Sequence, residues 1–279
     1  MNLSMTTDYV AYLGDPGPYL RRIAETGFTH VHWCHEWNTD YLYSDEEVAQ
    51  AKALLRELDL DLLDLHASNG VGRSWGSLLE EERSVGVKLI RNRIDMTARL
   101  SGRAIVLHLP PKPHSPVELD RFWASVCRSL DELEPHALRA SVRIALENME
   151  DDRFDGIERL FSRYGRQFLG LCYDSGHGNI GGRGLDHLER FSDRLVSIHL
   201  HDNDGRIDHH NLPFTGTVDW PRLARLIADS SYDGCMSLES NMRGQDIEER
   251  LYLRQAYEAG SAVARLIETE RQRLCSHAT

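Results

Sequence analysis

No apolar run in the 279 residues approaches the roughly 20 that a membrane-spanning helix needs, so no spanning segment is expected. The N-terminal stretch MNLSMTTDYV lacks the basic start and apolar segment of a secretory signal. Cysteine is sparse and scattered: Cys34, Cys127, Cys172, Cys235 and Cys275 form no CxxC pair. That distribution suits reduced thiols better than a disulfide framework, and the three absences together predict a cytoplasmic protein without a membrane partner. Basic residues are also short. Lys and Arg total 32 against 44 Asp and Glu, a formal net charge of −12. This argues against a broad nucleic-acid surface, while leaving room for a local basic patch. Low-complexity tracts and composition shifts that would mark a linker are missing too, which points to one domain.

What is present is alternation. Short β-type runs fall at about 2–6, 28–34, 60–66, 103–108, 142–147, 168–174, 195–201 and 234–239, with amphipathic helical patterns such as SDEEVAQAKALLREL and DWPRLARLIAD between them. The first of these begins with Ser44 and carries Glu47 three residues on, a capping-box start. Gly27 and Gly165 lie near helix ends, where glycine most easily takes a left-handed turn. Eight strand–helix units in a chain of this length predict an α/β fold of the closed (β/α)8 TIM-barrel kind, a single domain over residues 1–270 followed by a frayed tail at 271–279.

Strand parity locates the chemistry, because alternate side chains face opposite sides of a sheet. In VSIHLHDNDGRIDHH, residues 196–210, Val196, Ile198 and Leu200 share one face while Ser197, His199 and His201 share the other. Elsewhere Leu63 and Leu65 oppose Leu62, Asp64 and His66, and Ile105 and Leu107 oppose Ala104, Val106 and His108. The same division sets Arg143, Ala145 and Glu147, then Gly170, Cys172 and Asp174, then Cys235, Ser237 and Glu239 against apolar partners. With the greasy face under the helices, the other face lines the barrel and ends in His, Asp or Glu at the C-terminal mouth, where barrel enzymes place their sites. Several carboxylates and imidazoles gathered there are costly unless something pairs them, and a divalent cation does so directly. Glu147, Asp174, His199 and Glu239, from four successive strands, are the candidate ligands of one metal. His66, His108 and His177 are candidates for a second position, with Asp208 and His210 either further ligands or caps of a long loop. A carboxylate–imidazole set without cysteine suits Mn²⁺, Co²⁺, Mg²⁺ or Zn²⁺, as one ion or more.

Other residues carry two readings each. Glu36 either orients a metal-bound histidine or caps loop backbone. Trp33, Trp37 and Trp75 either wall a sugar pocket or pack the fold. Arg73 and Arg243 either hold a phosphate or carboxylate or belong to solvated faces, and His30 and His32 stay unassigned.

The segments LDLHAS (63–68), IVLHLP (105–110), IALENM (144–149), LCYDSGHGN (171–179), HLHDNDGRIDHHNLPFTGTVDW (199–220) and MSLES (236–240), in this order, resemble the xylose isomerase-like TIM-barrel superfamily. That group holds sugar and sugar-phosphate isomerases and epimerases, inosose dehydratase-like proteins, and the endonuclease IV (AP endonuclease 2) family. The resemblance implies that Glu147, Asp174, His199 and Glu239 occupy the common metal site. His199 rather than His201 fits the His-x-x-acid pattern, which leaves His201 as a fallback ligand or substrate contact. It also implies that His66, His108, His177, Asp208 and His210 match the additional ligands of the multi-zinc endonuclease branch. The sequence departs from that branch at HLHDND and ENME, where it resembles the isomerase and epimerase branch instead.

The expected activity is therefore a metal-dependent isomerase or epimerase of a sugar, sugar phosphate or polyol-derived ketose, working through an enediolate, with Glu147 and Glu239 as the acid/base pair. An endonuclease IV-like phosphodiesterase acting at abasic sites is the alternative, and a dehydratase or lyase on the same scaffold is another. The expected partner is a small carbohydrate. The oligomeric state is left open, a homo-oligomer included.

Overall fold

The computed structural model describes residues 1–68, 74–149 and 154–277. Eight parallel strands run through it: β1 (Leu3–Thr6), β2 (His30–Trp33), β3 (Asp61–His66), β4 (Ala104–His108), β5 (Arg143–Glu147), β6 (Leu169–Asp174), β7 (Leu195–His199) and β8 (Met236–Leu238). They are neighbours in the order β7-β6-β5-β4-β3-β2-β1-β8. Leu200, just past β7, closes the remaining seam: its N–H donates to Ser237 O at 2.8 Å, and its carbonyl accepts from Glu239 N at 3.2 Å. The barrel expected from eight strand–helix units is the observed one.

Helices α1 (Gly17–Thr26), α2 (Asp45–Glu57), α3 (Glu80–Arg99), α4 (Pro116–Ala140), α5 (Phe154–Phe161), α6 (Ser175–Gly181), α7 (Gly184–Arg190), α8 (Trp220–Asp229) and α9 (Glu249–His277) follow the strands. None among the described residues is long and apolar enough to cross a membrane. Helix α8 illustrates how they dock: Trp220, Leu223, Ala224 and Ile227 share one face and are buried. Each large apolar side chain so buried contributes roughly 1.5–3 kcal/mol. The Ser44–Glu47 capping box forms in both directions at the start of α2, and Gly27 ends α1 with φ 107°. Gly165 does not turn left-handed; its carbonyl accepts from Phe168 N and Leu169 N in an ordinary turn.

Three features depart from the expectations. The segment 271–277 is the last part of α9, because Arg271 donates to Tyr232 O at 2.6 Å and holds that end of the helix to the barrel. Helix α6 falls where no helical pattern is legible; Asp174 caps it by accepting from His177 N at 2.7 Å. Register shifts on β3 and β7 also break the strict alternation of faces. At the first, Leu62 joins the outer cluster under the helices, opposite to its expected side. At the second, Leu171 pairs with Leu195 and Cys172 with Ser197, so Val196 is the extra residue. Val196 therefore packs on the inner cluster of Val106, Ala145 and Cys172 rather than under the helices. A bulge puts two consecutive side chains on one face, which period-2 reading cannot see.

Gly170 makes room for this bulge. A Cβ there would lie 2.0 Å from Val196 Cγ2 and 2.8 Å from Arg194 O. Gly170→Ala is expected to cost about 1–3 kcal/mol in urea unfolding, as overpacking of a filled core does. A double-mutant cycle with Val196→Ala should recover part of that loss; a Gly170→Ala protein as stable as the parent would contradict this packing.

Candidate metal centre

The ladder itself assembles the first group of side chains. His108 stands opposite Glu147, and Asp174 opposite His199, in register on neighbouring strands. The closing bonds of Leu200 carry Glu239 to the same place from the far side of the seam. His199 Nδ1 then lies 2.7 Å from Glu147 Oε1 and 2.9 Å from Glu239 Oε2. Glu147 Oε2 meets His108 Nε2 at 2.8 Å, and His66 Nε2 reaches the same imidazole at 3.1 Å. Just beyond the ladder, the Asn148 side chain donates to Asp174 O and accepts from Asp174 N, at 2.9 and 2.8 Å, which ties the exits of β5 and β6 together.

A loop supplies the second group. Asp202 and Asn211 exchange backbone hydrogen bonds at 2.8 and 3.0 Å, so the residues between them fold back over the mouth. The Asp202 carboxylate is consumed in holding that loop, accepting from Trp220 Nε1 at 2.9 Å and Val218 N at 3.1 Å. Asp208 Oδ2 thereby comes within 2.8 Å of His210 Nε2 and 3.4 Å of His177 Nε2. His201 stacks on His210 with ring centres 4.1 Å apart, and its Nε2 is 2.9 Å from Asp174 Oδ1.

These groups suit a metal ion by their chemistry. His66, His177 and His210 each direct Nδ1 at a backbone carbonyl, of Ala67, Asn148 and Glu239, at 3.0, 2.9 and 2.7 Å. Donation there fixes the tautomer and turns the Nε2 lone pair towards the mouth, as metal-ligating histidines do. His199 Nε2, Asp174 Oδ2, Asp208 Oδ1 and His201 Nδ1 are buried without a hydrogen-bond partner. Polar atoms so placed need a partner that side chains do not supply. Ligand atoms of Glu147, Asp174, His199 and Glu239 all lie within 4.8 Å of one another; so do those of His66, His108 and Glu147, and those of His177, His201, Asp208 and His210. All ten expected site residues thus meet at one end of the barrel.

The electrostatics carry the same demand for positive charge. Burial works to raise the Glu147 carboxyl, yet the His199 imidazole and the His108 hydrogen bond hold it well below the usual range. Burial likewise opposes ionisation of Glu239, and His199 outweighs it. For His210, burial is overcome by the Asp208 hydrogen bond, and its pKa rises to about 9. His66 behaves in the opposite way, pushed down to about 3 by burial and by neighbouring His108, and is a neutral imidazole. Binding of a divalent ion to such a set would displace the protons that the histidines hold.

Above the ligands lies a cavity of about 310 Å³, lined by seven of the ten site residues (not Asp174, His199 or His201) together with Asp8, Trp37 and Met149. Trp37 is the one candidate tryptophan on this wall, its ring centre 4.7 Å from that of His66. Trp33 donates to Tyr43 Oη in the outer core, and Trp75 is buried with its Nε1 on His108 O. Arg243 is tied to Asp8 at the rim, and Arg73 lies outside the described residues. Glu36 has φ 57° and offers its carbonyl to Arg93; among the described residues its carboxylate makes no hydrogen bond to a site histidine. Backbone carbonyls, rather than Glu36, orient His66, His177 and His210. His32 and Asp8 belong to the site region although no sequence pattern assigns either a role. His32 is inward on β2, its ring centre 4.3 Å from that of His199, whereas His30 stays at the opposite end beside Asp61. Only the cross-barrel neighbour identifies His32, and no local pattern names that neighbour.

A family model described as xylose isomerase-like TIM barrel matches residues 20–263. The protein y4fM of Sinorhizobium fredii is 32% identical over 277 residues, covering 90% of this chain and 89% of the relative. The 3-dehydro-D-guloside 4-epimerase of Escherichia coli K12 is 26% identical over 215 residues, 71% of this chain and 79% of that enzyme. In three dimensions a D-tagatose 3-epimerase-like protein superposes with a TM-score of 0.79 at 19% identity, over 98% of this chain and 100% of its own, a likeness of fold.

Gly176 gives the second group its room. A Cβ there would lie 1.9 Å from His201 Cε1. Gly176→Ala should displace the His201 ring, lower stability by about 1–3 kcal/mol, and weaken uptake of divalent ions by the stripped protein in a calorimetric titration. Unchanged metal uptake would remove His201 from the set.

Proposed function

Since the chain belongs to the xylose isomerase-like TIM barrel family, we propose that it is a metal-dependent isomerase or epimerase of a sugar, sugar phosphate or polyol-derived ketose. The observation that carries this reading is the placement of two glutamates, the buried Glu147 and the partly buried Glu239, on either side of His199 Nδ1 at the floor of a ligand-sized cavity. The epimerase names among the relatives and neighbours support it. So does the cavity, whose volume is at the small end of the roughly 300–1,000 Å³ typical of small-molecule sites.

Glu147, Asp174, His199 and Glu239 would hold the ion. A bound divalent ion supplies polarisation of a carbonyl and its neighbouring hydroxyl, which makes the intervening C–H more acidic. The remaining work falls to side chains. One glutamate, as carboxylate, removes the proton from that carbon; the C–H pair forms the C=C bond of an enediolate and the carbonyl π pair moves onto its oxygen. The opposing glutamate, which must first take a proton from solvent, returns it to the other face. Return to the same carbon inverts it; return to the neighbouring carbon, with the hydroxyl proton passing to the former carbonyl oxygen, isomerises the sugar. His108 Nε2 engages Glu147 Oε2 and His199 Nδ1 engages Oε1, so the carboxylate is held in place at both oxygens. Trp37 and Met149 offer apolar wall against the C–H face of a sugar ring.

The groups His66–His108–Glu147 and His177–Asp208–His210 favour a second reading, a phosphodiesterase with several ions per chain. Cleavage of an abasic duplex by the metal-loaded protein would select it.

Glu147→Gln and Glu239→Gln are each expected to lower kcat on a ketose–epimer panel by roughly 10²–10⁴. In deuterium oxide, each turnover by the parent protein should leave solvent deuterium at the inverted or isomerised carbon. Full activity in either variant, or product free of deuterium when substrate and solvent protons exchange freely, contradicts the proposed acid/base pair.

A further inference from the structure

Beneath the proposed ligands lies a pair of side chains to which the reading above gives no role. His32 on β2 and Asp64 on β3 are buried, at 0% and 1% exposure. Asp64 Oδ1 lies 2.6 Å from His32 Nδ1. Its other oxygen accepts from Ser197 Oγ, which reaches it from across the barrel. Both carboxylate oxygens are therefore engaged, and the imidazole is held by one nitrogen from a rigid support. The second nitrogen, Nε2, is buried without a hydrogen-bond partner and lies 3.6 Å from Glu239 Oε1. The ring itself sits against that of His199, with centres 4.3 Å apart.

Stability alone gives no reason for this pair. Replacing a buried ionic or hydrogen-bonded couple by apolar side chains of similar volume is often neutral or stabilising. An imidazole tied to a carboxylate on one side and aimed at the ligand set on the other is, by contrast, how proteins orient groups around a metal.

We propose that the Asp64–His32 pair is a positioning device for the metal centre: His32 supports the His199 ring from below and presents Nε2 to Glu239, fixing where these two ligands offer their free atoms. The proposal rests on reading the barrel mouth as a metal centre. His32 acts through Glu239 and His199 and touches no substrate, so its signature is metal affinity.

The test uses the full-length protein stripped with a chelator. Its affinity for Co²⁺ is measured by competition with a chelating dye, in the parent, His32→Phe and His32→Gln. The thermal midpoint of each stripped protein is recorded alongside. His32→Phe should raise the Co²⁺ dissociation constant about 10–100-fold, the usual cost of losing such a partner, and lower the midpoint as well, because Asp64 is left without its imidazole. His32→Gln, whose amide nitrogen can take the place of Nε2, should recover most of the affinity. Unchanged Co²⁺ affinity in His32→Phe overturns the proposal. So does a loss that Gln fails to restore and that falls in step with the midpoint, since that marks a merely structural residue. A parent protein that takes up no Co²⁺ overturns the metal-centre reading itself.

Discussion

Glu147, Asp174 and Glu239 come within bonding range of one imidazole set, and Asp208 closes over them from the loop. Carboxylates so close and so removed from water repel one another and lose solvation, unless positive charge is placed among them. The rest of the barrel mouth follows from that constraint. Histidines ring the carboxylates, and those that bond a carbonyl do so through Nδ1, leaving Nε2 for the centre. In the resting protein Glu147 and Glu239 are held ionised by the imidazoles they face. A divalent ion satisfies the same demand with one charge centre in place of several protons.

The fold meets the constraint by separating packing from chemistry. Apolar side chains between sheet and helices form the continuous core, and the barrel interior below the site holds a small apolar cluster with serines. The chemistry is confined to the layer where strands end. Each ligand on a strand end inherits the rigidity of the ladder, and the seam bonds of Leu200 are what bring β7 and β8 into one site. The loop ligands gain comparable definition from the Asp202–Asn211 bridge and from the Trp220 indole on Asp202. Asp174 serves two ends at once, capping α6 through Oδ1 while Oδ2 stays without a hydrogen-bond partner.

Much of this was legible in the sequence, because a strand has period 2 and a barrel has one functional end. Parity alone brings His66, His108, Glu147, Asp174, His199 and Glu239 to the mouth, and the structure gathers them there. Parity fails where a bulge inserts a residue, which is why Leu62 and Val196 face opposite to expectation. It is also blind to partners across the barrel. His32 reads as one histidine in HVHW, and only its distances to Asp64, His199 and Glu239 give it a place. Helix α6 escaped notice because three glycines in SGHGNIG conceal a helix that depends on its Asp174 cap. Among the tryptophans, composition could not choose; the wall of the cavity selects Trp37.

The chemistry proposed for the barrel mouth requires a metal ion there. Elemental analysis of protein purified without added metal, repeated after incubation of stripped protein with Mn²⁺, Co²⁺ or Zn²⁺ and removal of the excess, tests this directly. At least one tightly retained divalent ion per chain is expected, lost when Glu147 and Glu239 are both changed to glutamine. A parent protein that retains none of these ions would contradict that requirement.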